Sequence, residues 1–202
     1  MSTELVRPRD PEGTKRAVLD SAERLFSERG FAGTSIRDVA LASGVSHPLI
    51  QHHFSTKDGL YRSVLRRCGE EYAAKFPETA EVSDRPANLR DEMTRLFAFA
   101  KERYRLIRMV GWARLEGRDD LLSERYKPRE AMIRRIEAGQ DAGLIRQDID
   151  APTLVVMLEA LLIFWIENRA SIALCCCPEA ANDAAYLEKA ILLMERGASP
   201  EL

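Results

Sequence analysis

Apolar residues recur along this chain at every third or fourth position, which is the spacing of amphipathic helices. The first predicted helix runs from about Thr14 to Arg29, and Gly30 follows where a left-handed residue commonly ends a helix. Its inward stripe consists of Val18, Ala22, Leu25 and Phe26. We find no sustained two-residue alternation bounded by hairpin turns, the pattern that would predict strands. The pattern therefore predicts an all-α fold.

Three short segments that follow begin with helix-capping signatures. Ser35 with Asp38 has the spacing of a capping box, Ser46 is a plausible N-cap, and Ser55 with Asp58 repeats the first signature. Gly44 separates the second predicted helix from the third. Two short helices around a tight glycine turn, packed on a longer helix, form a helix-turn-helix, which places its second helix in the DNA major groove.

The predicted third helix has a polar side and an apolar side. His47, Gln51 and His52 are expected to point away from the apolar positions Leu49, Ile50 and Phe54. Polar groups on such a side can donate to phosphates or read base edges.

The rest of the chain predicts five more helices, which gives about nine in total. Residues 77–88 hold two prolines and no periodicity, so they are expected to connect elements. The later helices are expected near 88–104, 105–116, 122–142, 151–173 and 179–197. We expect two domains, a helix-turn-helix domain over 1–67 and a larger helical domain over 68–202.

Charge is distributed unevenly between these two parts. The whole chain has a net charge of -2, which argues against a bulk polycation. Residues 1–67 carry 11 basic and 8 acidic side chains, whereas residues 68–202 carry 19 and 24. The first part is therefore where a polyanion such as DNA is expected to bind.

The stretch TSIRDVALASGVSHPLIQHHFSTKDGLY resembles the N-terminal signature of the TetR family of bacterial transcriptional regulators, and AVLDSAERLFSERGF extends the match over the first helix. A softer resemblance covers AGLIRQDIDAPTLV at 142–155. The resemblance implies a dimeric regulator with a helix-turn-helix that binds double-stranded operator DNA. It also implies a C-terminal domain for ligand binding and dimerisation.

The resemblance further implies which residues meet DNA. Ser35 and Arg37 are expected at phosphates, Lys57 as a clamp on the DNA backbone, and the third helix in the groove. The full expected set is Ser35, Arg37, His47, Pro48, Gln51, His52, His53 and Lys57. Gln51 can donate to and accept from adenine, a contact worth about 1–3 kcal/mol of discrimination.

Some of these positions depart from the family or have another reading. The family commonly has Lys where His47 stands, a small residue where Pro48 stands, and Tyr where Gln51 stands, so an operator sequence cannot be transferred from relatives. His53 could equally pack against the first helix.

The segment near 151–173 is apolar nearly all round, so it must bury two faces, whereas one domain offers one core. We therefore expect a homodimer through this helix and the helix near 179–197. The apolar run from Thr153 to Ile166 is interrupted by Glu159 and is shorter than the roughly 20 residues that span a bilayer, so no membrane partner is expected.

Aromatic and flexible side chains in the larger domain are candidates for an effector pocket, although most residues of this kind are simply core. Arg108 and Glu116 are possible polar anchors near Trp112. The candidate ligand-binding residues are Phe97, Met109, Trp112, Glu116, Met132, Ile136, Leu161 and Trp165. We expect an apolar or aromatic small molecule that releases a repressor from its operator by favouring a dimer in which the fourth helix swings.

An enzyme is not expected, because hydrolase, metalloprotease, nucleotide-binding and dinucleotide-binding motifs are missing and no His lies beyond His53. Neither a cofactor nor a metal is expected. A ligand-independent architectural DNA-binding dimer is the alternative. Cys175, Cys176 and Cys177 fit neither a disulfide framework nor a metal knuckle, and a redox role for them stays open. The cysteine usage and the polar N-terminus indicate a cytoplasmic protein.

Overall fold

All regular structure in the described part of the chain is helical. The computed structural model describes residues 10–76, 89–175 and 182–198. Its helices are α1 (Pro11–Arg29), α2 (Ile36–Ser43), α3 (His47–Phe54), α4 (Lys57–Lys75), α5 (Leu89–Glu102), α6 (Tyr104–Leu115), α7 (Tyr126–Asp141), α8 (Ala151–Cys175) and α9 (Asp183–Ala198), with a 3-10 helix at Asp119–Arg125. The prediction of an all-α fold of about nine helices is confirmed. The predicted connection at 77–88 and the residues Cys176 and Cys177 lie outside the described residues.

The described residues divide into two compact units. The first contains the residues up to Arg66 together with Arg108–Leu122, and the second contains Arg67–Ile107 and the residues from Ser123 onward. The predicted domain boundary after residue 67 lies one residue from the first of these divisions. The prediction assigned Arg108–Leu122 to the second domain, whereas the structure places it in the first unit. Its local pattern does not indicate that it packs on helices far earlier in the chain.

Local capping explains where the helices of the first unit begin and end. Asp10 accepts a hydrogen bond from the Gly13 amide at 2.8 Å and Pro11 occupies the first turn, so α1 starts three residues before the predicted Thr14. The capping box at Ser35 and Asp38 is present at the start of α2. Gly44 ends that helix in the left-handed conformation, with φ of 68°.

The start of α4 differs from the prediction. Ser55 does not cap α4; it ends α3 with a positive φ of 61°, and its amide donates to the Gln51 carbonyl at 2.8 Å. Thr56 is the capping residue, since its Oγ1 accepts from the Gly59 amide at 3.0 Å. The turn is therefore one residue longer than the spacing of Ser55 and Asp58 suggests.

In the second unit, α8 packs against α5, α7 and α9. Seven of its side chains are buried: Ala151, Leu154, Val155, Leu158, Leu162, Trp165 and Ile166. By length and composition α8 could cross a membrane, but a core helix of a soluble protein passes the same test. The carboxylate of Glu159, within the apolar run, is paired with Arg129 of α7.

A second apolar face of α8 is exposed within the subunit. Val156, Met157 and Phe164 are exposed on α8, and Leu192 and Leu193 are exposed on α9. Helices of a soluble subunit seldom leave this much apolar surface in contact with water unless something covers it.

Candidate nucleic-acid interface

Helix α3 has a buried side and an exposed side. Ile50 and Phe54 are buried in the core of the first unit. At about 100° per residue, His52 lies on the opposite side of the helix, with Pro48 and Leu49 on either side of it. These three residues are exposed, as is Gln51 at the edge of this face, while His47 is half-buried. The side of α3 that faces away from the core therefore combines polar and small apolar groups.

Leu49 was grouped with the inward apolar positions by the sequence pattern, and this assignment is wrong. Its side chain is 38% exposed, because it lies about 100° from Ile50 and toward the side opposite the core. The angular position on the helix was the available signal, and it outweighs the apolar character of leucine in a helix this short.

The two later histidines of α3 are both exposed. Their ring centroids are 5.5 Å apart in an edge arrangement, and the His53 ring lies 6.1 Å from that of Phe54. His53 is thus displayed at the surface beside Phe54, on the flank of the face that carries His52.

The start of α2 presents one exposed cation and one hydroxyl that is already engaged. The Ser35 hydroxyl donates to Asp38 Oδ2 at 2.6 Å and accepts from the Asp38 amide at 3.1 Å. The Ser35 hydroxyl and the Ser35 amide both donate to the Asp38 carboxylate, and these two hydrogen bonds hold the pKa of that carboxyl below its ordinary value. Arg37 is exposed in the first turn of the helix. Ser35 therefore fixes the helix start, whereas Arg37 is available to a ligand in solution.

Lys57 is directed toward the protein interior. Its Nζ donates to the Phe31 carbonyl at 2.8 Å and to the Thr34 carbonyl at 3.0 Å, and it lies 4.1 Å from the centre of the Phe31 ring. An ammonium group has three donors, so two of them are used inside the unit. Lys57 ties the start of α4 to the turn between α1 and α2.

That turn is also held by residues that sequence reasoning assigned to the effector pocket. The Glu116 carboxylate accepts from the Phe31 and Ala32 amides, both at 3.1 Å, and Trp112 lies against Gly30. Arg108 Nε donates to the Ser27 carbonyl at 2.9 Å, and the Met109 carbonyl accepts from the Tyr61 hydroxyl at 2.6 Å.

The predicted ligand residues are thus divided between the two units. Met109, Trp112 and Glu116 belong to the first unit. Phe97, Ile136 and Trp165 lie in the hydrophobic core of the second unit, and Met132 and Leu161 pack against that core. Five of the eight residues come together in the second unit, and the other three belong to the first unit because the second half of α6 packs with α1 and α4.

Trp165 is fixed on several sides within the second unit. Its ring stacks on Tyr186 with centroids 4.1 Å apart, and its Nε1 donates to Asp183 at 2.9 Å. Burial alone would raise the pKa of the Asp183 carboxyl, but hydrogen bonds from Lys101 and Trp165 bring it below its ordinary value. Asp183 also pairs with Arg169, so a charged cluster lies at the edge of the apolar core.

Comparison with known proteins finds the same two-part organisation. Residues 18–64 match the family of bacterial regulatory proteins, tetR family, and residues 88–194 match the family of tetracyclin repressor-like C-terminal domains. The second match alone covers more than half of the chain.

Two curated relatives and one solved structure extend the similarity. The chain is 30% identical over 147 residues to the HTH-type transcriptional repressor KstR2 of Rhodococcus jostii, covering 68% of this chain and 71% of that protein. It is 28% identical over 156 residues to the repressor SCO4008 of Streptomyces coelicolor, covering 76% and 78%. The regulator FadR of Bacillus subtilis, solved in complex with stearoyl-CoA, shares the fold with a TM-score of 0.69 and 14% identity, covering 90% of this chain and 98% of that chain.

Regulators of this family are transcription factors rather than enzymes. They bind operator DNA, typically as dimers with small-molecule ligands. On the strength of its two family matches and of its similarity to KstR2, this chain belongs to the TetR family of DNA-binding transcriptional regulators.

Proposed function

We propose that this regulator is a repressor that reads its operator with the exposed face of α3 and leaves it when an apolar small molecule binds. The observation that carries this proposal is the exposed face of Pro48, Leu49, Gln51 and His52 opposite a buried Ile50. A helix that is fixed on its inner side and exposes polar and apolar groups on its outer side is suited to entering a major groove. Curated relatives of the chain are named repressors.

We assign the contacts with the bases to three kinds of side chain on this face. Gln51 can pair with the N6 and N7 edge of adenine, and Pro48 and Leu49 can contact thymine methyl groups. His52, at the centre of the face, can donate to or accept from a base edge. The proposed half-site therefore contains at least one A·T pair.

We assign the contacts with the DNA phosphates to the start of α2. Arg37 is exposed there, and the first amides of a helix attract a phosphate. Ser35 and Lys57 are hydrogen-bonded to other groups of the protein, so we assign them the positioning of this helix start rather than the main phosphate contacts.

Dimerisation is proposed through the exposed apolar face of α8 and α9. Val156, Phe164 and Leu193 are examples of residues that a second copy would cover. Two-fold symmetry would place two α3 helices on half-sites about one helical turn of DNA apart, or a small multiple of it.

The effector is proposed to bind among the apolar side chains of the second unit. Phe97, Met132, Ile136, Leu161 and Trp165 belong to or contact one hydrophobic cluster there. The same fold in FadR is solved with stearoyl-CoA, a molecule with a long apolar chain. Release requires that the effector prefer a dimer in which α4 has swung and the two α3 helices no longer match the operator, with a coupling of about 1–3 kcal/mol.

Operator reading is tested by selecting DNA from a random pool of duplexes with the wild-type protein. We expect an enriched near-palindrome, and Gln51→Ala should bind it about 5- to 150-fold more weakly for each half-site, with discrimination lost at one base pair of each half-site. Gln147→Ala, a glutamine of the second unit, should bind like wild type. Failure of the wild type to enrich any sequence would contradict the proposal.

The role of Lys57 is tested in the absence of DNA. Lys57→Met should lower the free energy of unfolding by on the order of 2 kcal/mol, because two carbonyls lose a charged donor. Lys15→Met, at an exposed lysine of α1, should change it by less than about 0.5 kcal/mol. Chemical denaturation followed by circular dichroism measures both. Equal stability of the two variants would mean that Lys57 is free to act as a phosphate contact alone.

The dimer interface is tested with two residues of equal exposure. Phe164 of α8 and Leu144, between α7 and α8, are each 61% exposed. Phe164→Glu should weaken dimerisation by at least about 100-fold in sedimentation equilibrium, because a carboxylate would be buried without a partner. Leu144→Glu should leave the dimer intact. A dimer unaffected by Phe164→Glu would exclude this face.

The effector class is tested with tryptophan fluorescence. The chain has two tryptophans, so Trp112→Phe leaves Trp165 as the reporter in the second unit. Among long-chain acyl-CoA, fatty acids and aromatic acids, at least one should change the emission of this variant saturably and weaken the binding of the wild-type protein to the selected operator. If no compound does both, the ligand-independent architectural dimer becomes the better account.

A further inference from the structure

The turn between α1 and α2 is held by a glutamate from a distant part of the chain. Glu116 accepts from the Phe31 amide at 3.1 Å and from the Ala32 amide at 3.1 and 3.2 Å. A half-buried carboxylate that accepts from two successive amides fixes their direction, because both N–H groups must converge on it. This bond pair is formed across more than 80 residues of sequence.

The backbone approaches Glu116 too closely for a side chain at the preceding residue. Gly30 has a φ of 74°, a region that glycine adopts readily, and a Cβ there would overlap a Glu116 carboxylate oxygen. The same Cβ would lie 3.1 Å from the Trp112 ring. Gly30, Trp112 and Glu116 therefore form one tight contact that leaves no room for a side chain at residue 30.

The opposite side of the turn is held by Lys57, and Arg118 strengthens the assembly. Arg118 donates to Asp58 at 2.7 Å and lies 4.4 Å from the centre of the Phe31 ring. The N–H groups of the turn are thus held from one side by Glu116 and two of its carbonyls from the other by Lys57. Ser35 follows the turn directly and caps α2, which packs on α3.

We propose that Glu116, which belongs to the first unit although it lies far from it in sequence, is a positioning residue for operator binding. The reason is the chain of contacts from the carboxylate to the turn, from the turn to the α2 cap, and from α2 to α3. This inference rests on the proposed operator binding. It assigns to Glu116 a role in DNA affinity although its side chain is engaged inside the unit and not at the exposed face of α3.

The sign of the effect separates positioning from simple electrostatics. Replacing a glutamate by a neutral residue makes the protein more positive, which by itself strengthens binding to a polyanion. In Glu116→Gln the remaining side-chain oxygen can still accept from both amides, but an NH2 group replaces the second oxygen facing the Ala32 amide and the charge that strengthens both bonds is lost, so the turn loses part of its support. Positioning therefore predicts weaker operator binding, in the direction opposite to the charge effect.

The experiment compares two full-length variants with the same change of charge. Glu116→Gln is matched with Asp119→Asn, whose carboxylate lies three residues further on and is exposed. The probes are the duplex selected by the wild-type protein and a scrambled duplex of equal length. We expect Glu116→Gln to bind the selected duplex about 10-fold or more weakly than wild type and the scrambled duplex no more weakly. Asp119→Asn should bind both at least as tightly as wild type.

Amide hydrogen exchange supplies a readout that does not depend on DNA. In Glu116→Gln the Phe31 and Ala32 amides should exchange faster, while those of the buried part of α1, such as Phe26, keep their protection. Equal operator affinities of the two variants, or unchanged exchange at Phe31 and Ala32, would overturn the inference. A wild-type protein that selects no sequence would instead refute the proposed function itself.

Discussion

The arrangement of helices in the first unit depends on hydrogen bonds to the backbone of one turn, the turn between α1 and α2. Backbone N–H and C=O groups that leave water must be hydrogen-bonded, and between α1 and α2 there is no helix to supply the bonds. Glu116 accepts from two N–H groups and Lys57 donates to two carbonyls. Two side chains of opposite charge thus supply the hydrogen bonds that backbone groups of a helix supply to one another. Because Ser35, the N-cap of α2, follows Thr34 directly, these two side chains hold the backbone from which α2 starts.

This arrangement changes how the basic charge of the unit should be interpreted. Lys57 and Arg118 both lie over the Phe31 ring and both donate to groups of the protein. Most of their donors are therefore used within the protein, while their charge still adds to the positive potential of the unit. What remains at the exposed face is Arg37, the amides at the start of α2, and the imidazoles of α3. A modest positive balance is then consistent with a reader that relies on shape and base contacts as well as on phosphate attraction.

The sequence predicted what local signals determine. The capping box at Ser35, the left-handed Gly44 and the apolar periodicity gave the helices and their order, and the family resemblance gave the class of protein. The inward direction of Lys57 and the transfer of Glu116 to the first unit could not be predicted, because each depends on partners far away in sequence. The error at Leu49 has a local cause. Its angular position on α3 already indicated an exposed side chain, but the prediction followed its apolar character instead.

Helix α8 shows why composition alone leaves three readings open. A membrane span, a core helix and a dimer helix all require a long apolar sequence, and only the burial of individual side chains separates them. Leu158 and Leu162 are buried while Val156 and Phe164 are exposed, so one face is used within the subunit and another is not. The single charge between residues 156 and 164, Glu159, is paired with Arg129 of the same subunit. The exposed face therefore carries no unpaired charge in this stretch, which is the condition that burial against a second copy of the chain imposes.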